Sequence, residues 1–102
     1  MAAAASVYLQ HSFCLKQCLL IALEVSGTKL SNKQYAGIKD FTGRLKHGIH
    51  AGAIEVDEAL RLDLLELLQG FRNSHTYNWI REDFHEAVYE LDRKLHGLRH
   101  SL

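Results

Sequence analysis

The chain has 102 residues, of which 47% are apolar and 24% charged, and its formal net charge is zero. This length fits one domain, and the composition is that of a globular protein rather than of a disordered segment. Zero net charge removes the simplest electrostatic argument for nucleic-acid binding. The most apolar run, residues 18–23, is far shorter than the about 20 residues that a membrane span needs. The alanine-rich start lacks the regions of a signal peptide, so we expect a cytoplasmic protein without membrane contact.

Hydrophobic periodicity predicts four amphipathic helices, at about residues 6–25, 31–50, 55–71 and 78–97, after a disordered tail at residues 1–5. The chain contains no proline, so glycines and capping residues mark the helix ends. Gly27 closes the first helix, Ser31 and Gln34 form a capping box that opens the second, and Asp57 is a cap near the start of the third. Short loops between helices of similar length favour an all-α, up-down four-helix bundle, with residues 6–102 in one domain.

The apolar faces of the four helices are not equivalent. Helix 2 and helix 4 each have one clean stripe, as a closed bundle requires. Helix 1 is apolar almost all round, and helix 3 leaves Leu62 and Leu65 outside its main stripe. Because a four-helix monomer leaves part of each helix uncovered, we predict self-association as a homodimer, or binding of a partner protein, that buries the surplus apolar residues. These residues are Leu9, Phe13 and Leu20 of helix 1 with Leu62 and Leu65 of helix 3. The alternative is a less regular packing in which helix 1 lies at the centre.

Helix 4 carries a second stripe opposite its core face. Its members follow each other at spacings of three and four residues: Trp79, Glu82, Glu86, Tyr89 and Arg93. Tryptophan, tyrosine and arginine are the residue types that most often anchor protein interfaces. We therefore predict that Trp79, Tyr89 and Arg93 contact a second protein, although single exposed aromatic residues are common.

The outer face of helix 2 is basic. Its cations and histidines are Lys33, Lys39, Arg44, Lys46, His47 and His50. The small residues Ala36 and Gly43 between them would let a nucleic-acid backbone approach closely, which makes this face the best nucleic-acid candidate. No aromatic residue interleaves with the cations to stack on single strands. Acidic residues of helix 3 could neutralise the same cations, which opposes this interpretation: Glu55, Asp57, Glu58, Asp63 and Glu66.

The candidate metal ligands do not form a convincing site. His11, Cys14 and Cys18 occupy successive turns of one face of helix 1, and imidazole and thiolates are good zinc ligands. Free cysteines are also among the most readily buried side chains, so we expect ordinary core thiols. Glu82 and His85 have the spacing of a di-iron motif, but such sites need a second pair. We expect no metal and no cofactor.

The segment after helix 3 reads Arg72-Asn73-Ser74-His75. An Arg-Asn pair followed by a His between two helices resembles the HEPN ribonuclease family, in which Arg and His act together on the RNA phosphate. Only Asn73 and Ser74 separate the two residues here, which is a shorter spacing than the family has. The resemblance implies a HEPN-like RNA-processing domain as a remote variant. The simpler interpretation is that Asn73 ends helix 3 in the left-handed conformation.

No enzymatic signature accompanies these features, since the chain has no nucleophile elbow, phosphate loop or dinucleotide fingerprint. The leading hypothesis is a small non-enzymatic interaction protein, an adaptor, inhibitor or regulator, that acts through protein–protein contacts and forms a homodimer. The alternative is a nucleic-acid-binding module that uses the basic face of helix 2.

Overall fold

Four helices form the fold, as the hydrophobic periodicity predicts. The computed structural model describes residues 4–26, 30–45 and 53–98. In chain order these residues form β1 (Ala4–Val7), α1 (Ser12–Ser26), α2 (Asn32–Arg44), β2 (Ile54–Asp57), α3 (Glu58–Arg72), a 3-10 helix (Thr76–Trp79) and α4 (Glu82–Gly97). The all-α, four-helix prediction is confirmed, and a small two-stranded sheet is added to it.

Helix α1 lies at the centre of the packing, in contact with α2, α3 and α4. Its buried residues are Ser12, Leu15, Cys18, Leu19, Ala22 and Leu23. Backbone and thiol contacts place His11 against Glu90 and Cys18 against Phe84, so α1 and α4 run antiparallel. The central position explains why α1 is apolar almost all round, and it covers most of the apolar surface that suggested a second chain.

The two strands correct the predicted starts of the first and third helices. β1 and β2 are antiparallel, and Val7 is paired with Ile54. The side chains of Val7, Ile54 and Val56 point into the core, whereas Ser6 and Glu55 point to solvent. Side chains that alternate between core and solvent have the period of two residues that is typical of a strand, whereas a helix would have a period of 3.6. Residues 4 and 5, expected in the disordered tail, therefore belong to β1, and residues 1–3 lie outside the described residues.

The ends of the helices follow local hydrogen bonds. The predicted capping box is confirmed: the Gln34 amide donates to Ser31 Oγ at 3.1 Å, and the Ser31 amide donates to Gln34 Oε1 at 3.0 Å. Asp57 is also confirmed as a cap, since its carboxylate accepts from the Leu60 amide at 2.8 Å. The second helix stops at Arg44 because Leu45 is extended, with ψ of 124°. Residues 46–50, predicted as its last turns, lie outside the described residues.

The predicted boundaries around the last loop are wrong. Asn73 ends α3 with φ of −86°, in the right-handed rather than the left-handed region, and its amide donates to the carbonyls of Gln69 and Phe71. The fourth helix starts at Glu82 instead of near residue 78. Ile80 and Arg81 are extended, with ψ of 159° and 155°, and they separate the 3-10 helix from α4.

The carboxylate of Glu90 in α4 fixes the residues that precede α1. Glu90 is buried, and it accepts hydrogen bonds from the backbone amides of Gln10, at 2.9 Å, and His11, at 3.1 Å. Lys94 Nζ lies 3.9 Å from the same carboxylate and also donates to the Tyr8 carbonyl. The turn between β1 and α1 is thus fixed by two residues far along the chain.

Candidate protein-binding surface

An exposed tryptophan stands on the loop between α3 and α4. Trp79 is the last residue of the 3-10 helix and is 76% exposed. Its indole Nε1–H donates a hydrogen bond of 2.9 Å to His75 Nε2, and the two rings meet edge-to-face with centroids 5.8 Å apart. These contacts hold the indole in one orientation while most of its surface remains open to a partner.

The loop that carries Trp79 is anchored on Phe71, in the last turn of α3. The Ser74 hydroxyl donates to the Phe71 carbonyl at 2.6 Å, and the Tyr77 amide donates to the same hydroxyl at 3.4 Å. The Phe71 ring is fully buried and meets the Tyr77 ring nearly at a right angle, with centroids 5.4 Å apart. The 3-10 helix therefore rests directly on the core, which is the support that a preorganised binding residue needs.

Trp79 does not belong to the stripe predicted on helix 4. The extended backbone at Ile80 and Arg81 breaks the helical spacing between Trp79 and α4. The remaining members of the stripe are all exposed along α4: Glu82, Glu86, Tyr89 and Arg93. Trp79 and the Tyr89–Arg93 face are consequently separate features of the surface.

The other predicted partner-binding residues divide into three groups. Leu9 is only 2% exposed, so the expectation that it faces a partner is wrong, because it points into the core from the turn before α1. Leu20 and Leu65 are partly buried against the core. Phe13, at 58%, and Leu62, at 53%, are exposed as expected. They lie on two different helices, α1 and α3.

The basic face of α2 is only partly described. Lys33 and Lys39 are exposed, and Lys39 Nζ lies 5.8 Å from the centroid of the Tyr35 ring. Arg44 pairs with Asp40 of its own helix at 3.1 Å. Lys46, His47 and His50 lie outside the described residues.

Among the described residues, the acids of α3 have partners other than Lys33, Lys39 and Arg44. Glu58 forms a two-pronged ion pair with Arg61, and the hydrogen bonds from Arg61 hold the pKa of Glu58 below its usual value. Asp63 and Glu66 accept from the side-chain amide of Gln34, at 3.2 and 3.5 Å. Within the described chain, Lys33 and Lys39 thus form no ion pair with α3.

Cys14 and Cys18 are packed against the start of α4. The Cys14 thiol donates to Asp83 Oδ2, and the Cys18 thiol donates to the Phe84 carbonyl, both at 3.6 Å. No group of three potential metal ligands comes together in the described part of the chain. These contacts are those of protonated thiols, whereas zinc binds thiolates.

We expect both cysteines to react slowly with iodoacetamide in the folded protein at neutral pH. Burial, with smaller contributions from Cys14 and Asp83, raises the pKa of Cys18 from 9.0 to about 12, and burial followed by Asp83 raises the pKa of Cys14. Below pH 9 both thiols of the native state stay protonated, and protonated thiols are unreactive. Between pH 9 and 12 the cysteines of the unfolded state ionise while Cys18 of the native state does not, so the free energy of unfolding falls over this range. Mass spectrometry of the alkylated protein, with and without denaturant, measures the rates. Equal rates for Cys18 in both conditions would contradict this expectation.

The two residues that resemble the HEPN pair have separate partners. His75 Nε2 accepts from the Trp79 indole, and Arg72 Nη1 lies 3.3 Å from Asp92 Oδ2 of α4. The side chains are thus directed to different neighbours rather than to one phosphate position.

A groove of about 530 Å³ lies beside this loop, between the C-terminal halves of α3 and α4. Its polar lining residues are Gln69 and Arg72 of α3, Asn73 at the C-cap of α3, Asn78 of the 3-10 helix, and Asp92 and His96 of α4. His96 Nδ1 lies 2.8 Å from the Asp92 carbonyl oxygen, and the Arg72–Asp92 pair crosses from one helix to the other. Positive and negative charge thus balance within the groove.

Comparison with known proteins does not add a relationship. No family model, curated protein or solved structure matches the chain. None of the helices in the described residues is both long enough and apolar enough to cross a membrane.

Sequence reasoning missed the His75–Trp79 pair and the groove beside it. A spacing of four between a histidine and a tryptophan is a recognisable signal for a side-chain contact on one helical turn. The groove had no such signal, because its residues come from three elements whose relative positions the periodicity does not specify.

Proposed function

We propose that this protein is a non-enzymatic helical interaction module, an adaptor, inhibitor or small regulator, that binds another protein through Trp79. The observation that carries the proposal is an exposed indole held in one orientation by His75. Tryptophan is among the residues that contribute most to binding when a partner buries them. A side chain that is already ordered loses less conformational entropy on binding, so the restraint by His75 favours association.

The surroundings of Trp79 support a non-obligate interface. His75, Asn78 and Arg81 are exposed polar residues next to it in the chain, and they can form the polar rim that surrounds an apolar anchor. Most of α1 is buried or half-buried, and the exposed large apolar residues of this helix are Phe13 and Val25. Self-association through α1 stays a prediction, with Phe13 as its exposed anchor.

Affinity purification from the native source, followed by binding measurements with the recovered partner, tests the proposal. Trp79→Ala is expected to weaken binding about 30-fold, which corresponds to the roughly 2 kcal/mol typical of a central tryptophan. Tyr8→Ala is the matched control, because Tyr8 is also an exposed aromatic residue, at 63%, but lies between β1 and α1. Calorimetric titration of the three proteins against the purified partner gives the affinities.

The outcomes separate the alternatives. A partner bound equally by the wild type and Trp79→Ala would refute the role of Trp79. Light scattering over a concentration series tests whether the partner is a second copy of this chain. A molar mass that rises with concentration in the wild type but not in Trp79→Ala would indicate self-association through Trp79. Nucleic-acid binding through Lys33 and Lys39 also stays a prediction, and it requires an affinity that falls steeply with salt.

A further inference from the structure

We propose that protonation of His75 releases the Trp79 side chain, so that protein binding through Trp79 weakens as the pH falls. This inference rests on the proposed function, because it concerns the regulation of the same site. The observation that carries it is the direction of the hydrogen bond of 2.9 Å between the two side chains.

The direction of this hydrogen bond specifies the charge of His75. The indole Nε1–H is a donor only, so His75 Nε2 is the acceptor. A ring nitrogen of histidine accepts only when it carries no proton. His75 is therefore the neutral tautomer with its proton on Nδ1. The contact that orients Trp79 exists in one of the two charge states of the imidazole and is excluded in the other.

Protonation replaces the acceptor on His75 with a donor. Both ring nitrogens of an imidazolium carry a hydrogen, so Nε2–H would face the indole Nε1–H across 2.9 Å. Two N–H groups in this arrangement repel each other, and the side chains must separate. His75 is exposed, so water can solvate the charged ring. Histidine ordinarily changes charge between about pH 5 and 8, which is the range in which we expect the release.

A cation–π contact does not replace the lost hydrogen bond. The two rings meet edge-to-face, with an angle of 65° between their planes. Because the indole Nε1–H lies in the plane of its ring, the imidazole is located at the edge of the indole. This edge carries the positive part of the ring quadrupole, whereas a cation is attracted to the face. The charged His75 is therefore repelled from the position that the neutral ring occupies.

The other charged groups around this loop have partners of their own. Arg72 of α3 and Arg81 at the start of α4 each pair with a carboxylate, at 3.3 and 2.9 Å. On the side of α4, the His85 ring packs against the Tyr77 ring of the 3-10 helix, with centroids 4.3 Å apart. His85 is thus a second histidine whose protonation can affect the loop, and it provides the matched control.

Nuclear magnetic resonance of the isotope-labelled full-length chain tests the release, since Trp79 is the single tryptophan. From about pH 8 to about pH 5, we expect the indole Nε1 proton to move upfield as it loses its hydrogen bond. The His75 ring protons report its charge in the same titration. His75→Gln retains a neutral acceptor, so its indole signal is expected to stay constant, whereas His85→Gln is expected to keep the wild-type response.

Three results of this titration would overturn the inference. The first is an indole signal that stays constant while His75 ionises. The second is a pH response that persists in His75→Gln, and the third is a response that disappears in His85→Gln. Because the measurement needs no partner, its outcome is independent of the proposed function.

Calorimetric titration with the partner recovered by affinity purification tests the effect on binding. From about pH 7.5 to about pH 5.5, the wild type is expected to lose about three- to tenfold in affinity relative to His75→Gln, as the loss of one restraining hydrogen bond predicts. Comparing the two proteins at each pH cancels the pH dependence of the partner itself. A constant ratio of their affinities overturns the regulation. A partner bound equally by the wild type and Trp79→Ala refutes the proposed function and the effect on binding, while the resonance titration still decides whether Trp79 is released.

Discussion

Replacing Phe71 by alanine is expected to lower the free energy of unfolding by about 3–5 kcal/mol. The ring is fully buried at the end of α3, so its removal leaves a cavity as well as losing apolar burial. It also supports the Tyr77 ring, whose centroid lies 5.4 Å from its own. We therefore expect the 3-10 helix to loosen, with a change in the fluorescence of Trp79, the single tryptophan of the chain. Urea unfolding followed by circular dichroism measures the stability.

Phe13 provides the matched control for this experiment. Phe13→Ala removes the same ring from a position that is 58% exposed, so its loss of stability is expected to be well below that of Phe71→Ala. Phe71→Leu is expected to lie between the two, because it retains much of the buried volume. If Phe71→Ala and Phe13→Ala had equal effects, the placement of Phe71 in the core would be incorrect.

Glu90→Ala is expected to lower the free energy of unfolding by about 3 kcal/mol, through the loss of two charge-assisted hydrogen bonds. The Glu90 carboxylate accepts from the amides of Gln10 and His11, which lead into α1, and alanine leaves both donors without this acceptor. Lys94 also loses its acidic neighbour. Urea titration gives the stability, and amide hydrogen exchange reports whether protection is lost first at residues 10 and 11.

Two variants bracket the effect of Glu90. Glu90→Gln keeps one oxygen acceptor, so we expect it to recover part of the stability. Glu86→Ala removes an exposed carboxylate one turn earlier in α4 and is expected to change the stability by no more than about 0.5 kcal/mol. Equal losses for Glu90→Ala and Glu86→Ala would show that the carboxylate contributes only surface charge.

Local sequence signals predicted the middle of the fold well. Ser31 and Gln34 satisfy each other's backbone amides within a few residues, so no tertiary information is needed to recognise their capping box. The apolar stripe of α4 was equally clear, and Ala87, Val88 and Leu91 are all fully buried. These features depend only on helical spacing and on hydrogen bonds between near neighbours.

The sheet was missed because its strands are short and border helices. Apolar and polar residues alternate from Ile54 to Asp57 and again around Val7, which is the period of a half-buried strand. Val7 and Val56 also fit the apolar faces of the adjoining helices, so the helical pattern was extended across them. Four-residue strands gain stability from pairing with each other, and periodicity along one segment does not reveal that pairing.

Most of the candidate site could not be predicted from the sequence. Trp79 was recognised as a partner-binding residue by its type, but it was assigned to a continuous helix. Its support by His75 depends on the 3-10 helix, and the groove depends on how α3 and α4 approach each other. Leu9 was misplaced for the same reason, since its burial follows from the strand that precedes it.

The contact between Glu90 and the residues before α1 affects the order in which the chain folds. Its hydrogen bond to Gln10 joins residues that are 80 positions apart, and β1 finds its partner strand about half a chain away. Helical bundles usually fold fast because their contacts are local, and long loop closures slow the search. During synthesis, the first helix cannot acquire its stabilising carboxylate until residue 90 has left the ribosome. We therefore expect the turn before α1 to become fixed only when α4 docks, so the Gln10 and His11 amides should gain protection from hydrogen exchange together with α4 during refolding.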